Sequence, residues 1–291
     1  MPKDFKTIDE QIEILKSRGL HIENEELAKE FLLYNNYYRV SGYSLTLRNH
    51  DKFFENATFQ NIIDIYNFDY ELRHVLLKYL EKIEVKIKSV YAYMFTRKYG
   101  PLGYSQSTPF TDVVEYANLI LKVSDLADRN VKNEAFLKHF KEELHEPYPF
   151  WTFIELFTLS DVSKLYAITE QALKDEIALS FGFNASSKDK VGTYLKCFSI
   201  LRNLCAHNGR LYNRLFVTKP SLNSKEKALL NKTKSGEVDN LHLFGYIISF
   251  KRFLSLEDYN SMKNDIYKLN KKYPFVDMKY YGFNPNWYDL I

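Results

Sequence analysis

At 291 residues, with 45% hydrophobic and 16% aromatic content, the chain has enough apolar material for a substantial core, which excludes a disordered protein. A formal charge of +3 and a pI near 8.5 make it only mildly basic, so any nucleic-acid surface must come from local clustering. Scarce Gly and Pro beside plentiful Lys, Glu, Leu, Ile and Asn favour long helices, and the expected fold is mainly all-α.

Thr7 with Glu10 three residues later forms a capping box that starts a helix through about Arg18, and Gly19 stops it. Asn24 caps a second helix with Leu27, Phe31 and Leu32 on its apolar side. From Tyr34 to Leu47 the sequence turns aromatic and β-prone around Ser41-Gly42, so a hairpin is expected there. Two helices and a hairpin resemble a small winged-helix module; such a unit binds nucleic acid in some proteins and is a lid on the main domain in others.

From Phe59 to Tyr99 the apolar positions keep a helical period until Gly100-Pro101, which predicts one long bundle helix or two in file. Its polar face carries Asp69, Arg73, Glu84 and Lys88. An amphipathic helix over 113–127, capped by Thr111 or Asp112, and a charged one over 133–144 follow, ending at Pro147 and Pro149. Phe150 opens a helix expected to continue through Tyr166, and another runs to about Phe181, where Gly182 stops it.

The polar chemistry concentrates in Ile200 to Arg214, ILRNLCAHNGRLYNR. Val191, Tyr194, Leu195, Phe198, Leu201, Leu204 and Cys205 recur at helical spacing, so a half-buried helix delivers Arg202, Asn203 and His207 to one small site. Cys197 and Cys205, about 12 Å apart by helical rise, are too distant for a disulfide and are expected as buried thiols. Residues 221–240 are polar, lysine-rich and aperiodic, a candidate mobile connector. An apolar helix over 241–254, a Ser255/Asp258-capped helix and an aromatic tail around Trp287 complete the chain. The expected organisation is an N-terminal module over 1–55, a helical core over 56–220 and a C-terminal extension over 221–291 packed on it.

Neither cysteines nor histidines have ligand-like spacing, so no metal and no cofactor are expected; His21, His50, His74, His139, His145 and His242 have no ligand-like spacing to each other or to acidic residues and should be solvated or core residues. Gly-rich phosphate loops, GxSxG elbows and HExxH motifs are missing. The N-terminus MPKDFKTIDEQ has no apolar signal core and no run is of membrane-spanning length, which leads to the expectation of a soluble cytoplasmic protein.

Arg202-Asn203-Leu204-Cys205-Ala206-His207 resembles the Arg, polar residue, His pattern of the HEPN superfamily, all-helical domains that are mostly metal-independent ribonucleases. The wider run RNLCAHNGRLYNRLF is similar to the Abi-like branch, the AbiF and AbiD type of bacterial abortive-infection proteins. Tyr37-Tyr38-Arg39-Val40-Ser41-Gly42-Tyr43 resembles that branch's YYRLSGY signature, and Tyr66 to Asp69, Glu81 to Glu84, the Trp151 to Tyr166 region and the Gly282 to Trp287 tail agree with it. Where the family often has a Gly-containing step, this chain reads Thr158-Leu159-Ser160-Asp161, a departure expected to affect packing and not the active motif.

The resemblance implies an endoribonuclease of phage defence, built on a homodimer that places two Arg-His sets in one cleft. Arg202 can present a permanently charged fork to phosphate, His207 can exchange protons near neutrality, and Asn203 can orient His207 or donate to an oxygen. By resemblance the first bundle helix contributes Glu84, whose competing reading is an i, i+4 surface pair with Lys88, and more weakly Arg73. Arg210, Asn213 and Arg214 adjoin the cleft and are candidates for RNA contact. A non-catalytic RNA-binding protein partnered with a small structured noncoding RNA is the alternative, and a winged-helix DNA-binding regulator, resting on residues 1–50, is the third reading.

Overall fold

The computed structural model describes residues 4–184, 190–233 and 235–291, and within them the protein is mainly helical. The first three residues of the N-terminal segment read above, and Lys234 of the polar stretch, lie outside the described residues.

Thr7 and Glu10 close the expected capping box on α1 (Ile8–Ser17), and Asn24 caps α2 (Glu25–Asn35) by accepting from the Leu27 N–H. The expected hairpin does not form at 34–47. Tyr37–Tyr43 is α3, capped by Asn36, because a helical turn puts Val40 and Tyr43 together on the buried side. Burial of these two overrides the β-propensity of the aromatic run. A minimal two-stranded ribbon lies just beyond, β1 (Arg48–Asn49) pairing antiparallel with β2 (Lys52–Phe53).

α4 (Phe59–Tyr99) is one continuous helix of 41 residues, roughly 60 Å long, with a Thr58/Asn61 capping box and Gly100 at its end. Its row Phe68, Leu72, Leu76, Tyr79, Leu80, Ile83 and Ile87 is buried, and truncating a member such as Leu76 to Ala should cost about 2 to 5 kcal/mol.

Asp112 caps α5 (Val113–Asn130). The charged segment after it gives a short α6 (Ala135–Lys138) running into a π-helical turn at His139–Leu144. The helix expected from Phe150 through Tyr166 is interrupted. α7 (Phe150–Phe153) passes through a 3-10 turn and ends at Phe157, and Thr158 caps a new helix, α8 (Leu159–Ile168), in a box with Asp161. The Thr158 side chain competes for backbone N–H groups, so the chain restarts there.

α9 (Gln171–Ser180) ends at Phe181 and Gly182 as expected. α10 (Lys190–Ala206) then packs against both α8 and α4. The 221–240 stretch contains α11 (Ser224–Lys227) and is pinned by its own polar residues. Glu226 pairs with Arg252, Asn231 donates to the carbonyls of Gly282 and Phe283, and Asn240 donates to that of Pro220. α12 (Leu243–Phe250), the Ser255-capped α13 (Leu256–Lys272) along α4, and α14 (Trp287–Leu290) finish the fold. Buried side chains from the N-terminal helices, α4, α10 and the aromatic tail belong to one hydrophobic core.

Among the described residues no helix is long and apolar enough to cross a membrane, and no three His, Cys, Asp or Glu side chains gather as a metal site. Two histidines have a single acidic partner each, His139 with Glu143 and His242 with Asp239, both at 2.8 Å. Those spacings are one helical turn or less and were visible in the chain.

Candidate functional site

α10 ends in a Schellman turn. Asn208 takes the left-handed conformation at φ 56°, and the Gly209 N–H reaches back 2.6 Å to the Leu204 carbonyl. A Cβ on Gly209 would sit 2.7 Å from Leu204 Cδ2 and 3.1 Å from its carbonyl oxygen, so a larger residue would force Leu204 to shift. His207 is therefore the last residue before the chain reverses, and its side chain is exposed. The reversal is held from outside, because Arg39 of α3 donates to the Asn208 carbonyl at 2.6 Å.

One and a half turns earlier, Arg202 is about one third exposed, with Nε 3.8 Å from Glu84 Oε2 of α4. Glu84 also meets Lys88 at 3.2 Å, with only 13% and 9% of the two side chains exposed. Glu84 pairs with Lys88 as the i, i+4 spacing predicts, though in a crevice and not on the surface, and it also faces Arg202. Lys88 additionally donates to the Glu155 carbonyl.

Asn203 turns the other way. Its Nδ2 donates to Ser160 Oγ at 3.1 Å, and Ser160 shares a second hydrogen bond with Ser199 of α10. The Thr158 to Asp161 step thus reaches a candidate site residue directly, where sequence reasoning had assigned it to packing alone.

Beyond the turn, Asp69 of α4 organises the returning chain. Its fully buried carboxylate accepts from the Leu211 and Tyr212 N–H groups, from the Tyr43 hydroxyl at 2.8 Å, from Tyr281 at 3.0 Å and from Arg73 Nη1 at 2.5 Å. Burial pushes this carboxyl up from its ordinary value, opposed by the Arg73 guanidinium and by the donors from Tyr43, Leu211 and Tyr281. The same surroundings push the Tyr43 hydroxyl well up, by burial first and by the Asp69 charge second.

Arg73, expected at an RNA surface, is 1% exposed and bound to Asp69; it braces the turn, its Nη1 also lying 3.5 Å from the Gly209 carbonyl. The carboxylate one helical turn before it draws it inward. Arg210, Asn213 and Arg214 do stay near the surface, half-buried. Arg210 Nη1 donates to the Tyr212 carbonyl and its Nε passes so close to Gly42 that a Cβ there would lie 3.2 Å away. Arg214 Nε donates to the Arg210 carbonyl, and Asn213, in the left-handed region, donates its N–H to Tyr280. The structure accordingly pairs Arg202 of α10 with Glu84 of α4, exposes His207 at the end of α10 with the Arg210–Arg214 loop following it in the chain, turns Asn203 toward α8 and withdraws Arg73.

Sequence reasoning missed Asp69 as an anchor. A lone Asp on a helix face carries no such signal; only the tyrosine and the returning N–H groups, distant in sequence, reveal it.

These features define a mainly helical protein in which a central helix braces a tight turn bearing an exposed histidine and followed by arginines. A family model described as Abi-like protein matches residues 30–213, well over half of the chain, from within α2 to just past the turn. The protein belongs to the Abi-like family. No curated protein and no solved structure matches it.

Proposed function

We propose that this protein is a metal-independent endoribonuclease of the HEPN type, acting in bacterial abortive-infection defence. Membership of the Abi-like family supports the defence role. The observation that carries the catalytic reading is the exposed His207 at the tightly fixed end of α10, the helix that also carries Arg202, whose Nε faces Glu84.

In this reading the RNA 2′-oxygen attacks the adjacent phosphorus and the bond to the 5′-oxygen breaks, leaving a 2′,3′-cyclic phosphate and a 5′-hydroxyl. His207 takes the 2′-OH proton, and the His207 of a second copy returns a proton to the leaving oxygen, which is why a homodimer belongs to the proposal. Glu84 engages Nε of Arg202 and leaves its terminal nitrogens for the phosphoryl oxygens, where charge develops. Asn203, held by Ser160, fixes the α10 face behind them. Arg210 and Arg214, with Asn213, supply phosphate contacts along the strand. A cytoplasmic location fits an RNA substrate.

The test is incubation of wild type and His207→Ala with total RNA in EDTA, followed by end-group analysis. Wild-type-only cleavage leaving cyclic phosphate is expected. Intact RNA with both proteins, and one short RNA copurifying with each, would replace this reading with that of a binding protein for a small noncoding RNA.

A further inference from the structure

Continuing along α4 from Glu84 and Lys88, the chain borders a cavity of about 520 Å³ lined by Ser89, Ala92, Tyr93, Thr96, Arg97, Trp151 and Glu155. Such a volume lies within the roughly 300 to 1,000 Å³ typical of small-molecule sites. Glu84, Lys88 and Ala92 stand at successive i, i+4 positions, so the cavity begins about 12 Å from the Glu84–Arg202 contact. It is physically joined to that contact through Lys88, which touches Glu84 and the Glu155 backbone.

The lining is unusual for an idle surface. Trp151 is 51% and Tyr93 64% exposed, two large aromatic rings at solvent in the wall of one cavity. Thr96 Oγ1 is buried and has no hydrogen-bond partner among the described residues, an unfavourable state that a ligand group would relieve. The Glu155 side chain is exposed, and none of the ion pairs seen among the described residues uses its carboxylate. Arg97 is already committed, to Glu176 at 2.6 Å, and so supplies a rim and not a free cation.

We propose that this cavity is a nucleobase pocket that takes an unpaired guanine from the RNA strand, stacked on Trp151 and Tyr93 and read by Glu155. Aromatic faces accept any base, whereas a carboxylate is acceptor-only and selects an edge with adjacent N–H donors. Guanine offers two such donors side by side, N1–H and the N2 amino group; adenine and uracil do not. Thr96, with its unpaired hydroxyl, and Ser89 are further polar groups of the lining, placed to bond the base or its ribose. The inference rests on the RNA reading of the α10 end for the source of the nucleotide, and it deepens that reading by naming a base preference.

Trp287 is buried, so quenching of tryptophan emission by added nucleotide reports Trp151. The full-length protein is titrated with GMP, AMP, CMP and UMP. Saturable quenching is expected with GMP tightest, its advantage over AMP lost in Glu155→Ala, and GMP binding weakened about tenfold or more in Tyr93→Ala. His207→Ala should titrate as wild type does. Equal quenching by all four nucleotides, unchanged in Glu155→Ala, overturns the guanine assignment. Absence of quenching, with Trp151 emission instead shifting with protein concentration, assigns the groove to a second copy of the chain and likewise overturns it. Saturable GMP binding by a protein that cuts no RNA leaves the pocket standing while the cleavage reading falls; cleavage with no base preference does the reverse.

Discussion

Arg73 Nη1 lies 2.5 Å from Asp69 Oδ2, one helical turn apart on α4, and both side chains are excluded from solvent. The pair does not stand alone, since the same carboxylate ties down α3 through Tyr43, the tail through Tyr281 and the chain beyond His207 through two backbone N–H groups. Asp69→Ala should therefore destabilise by about 3 to 5 kcal/mol, leaving a buried guanidinium and several donors unpaired. Replacing both, Asp69→Leu with Arg73→Met, should recover only part of this, because the Leu211 and Tyr212 N–H groups remain without an acceptor. Urea denaturation of the three proteins checks it; full recovery in the double variant would mean that the ion pair alone mattered.

His207 is exposed and has no side-chain hydrogen bond among the described residues. His207→Ala should change stability by no more than about 0.5 kcal/mol while lowering RNA cleavage by about 10²- to 10⁴-fold. Thermal melts alongside single-turnover cleavage separate the two effects. A melting temperature that falls in step with activity would assign the histidine to structure.

Burial pushes the Cys197 and Cys205 thiols up to about 12, so neither forms thiolate at neutral pH. Both cysteines are free, and in the native protein neither should react with a colourimetric disulfide reagent over minutes; both should react once the protein is unfolded. Rapid labelling of the native protein would show that α10 opens far more readily than its packing implies.

Burial pushes the Asp161 carboxyl up, but the Lys122 ammonium and the hydrogen bonds from Thr158 outweigh it and hold the group below its ordinary value. A depressed folded-state value means that this group's stabilisation is full above about pH 4, where the unfolded chain is also ionised, and is lost as pH falls through the folded value. Asp161→Asn should accordingly lower the melting temperature at pH 6 and converge on wild type toward pH 2. A gap that stays constant across that range would leave the cap geometry, and not the charge, as the source.

What could be read from the chain was local. Thr7/Glu10, Asn24, Asp112 and Ser255 announce helix starts within a few residues of themselves, and the period of α4 is carried by a continuous run. The Arg202 to His207 helix was equally legible. What could not be read depends on partners far away. The aromatic run at Tyr37–Tyr43 becomes a helix because Tyr43 is called to Asp69, whereas the break before α8 comes from the local Thr158/Asp161 box, at the same spacing as Thr7/Glu10, and was legible in the chain. Arg73 has the composition of a surface cation and the position of a core residue; only the carboxylate on the preceding turn, together with what lies above it, distinguishes the two.

The bond from Arg39 to the Asn208 carbonyl joins residues 169 positions apart, and it falls on the residue immediately after His207. A fragment beginning at α4 would keep Glu84, Arg202, Asn203 and His207 in sequence yet release the histidine's carboxyl-side tether, as well as the Tyr43 support beneath Asp69. The amino-terminal helices thereby work as a splint for a group they never touch, and any partner that pried α3 away would slacken that group without approaching it.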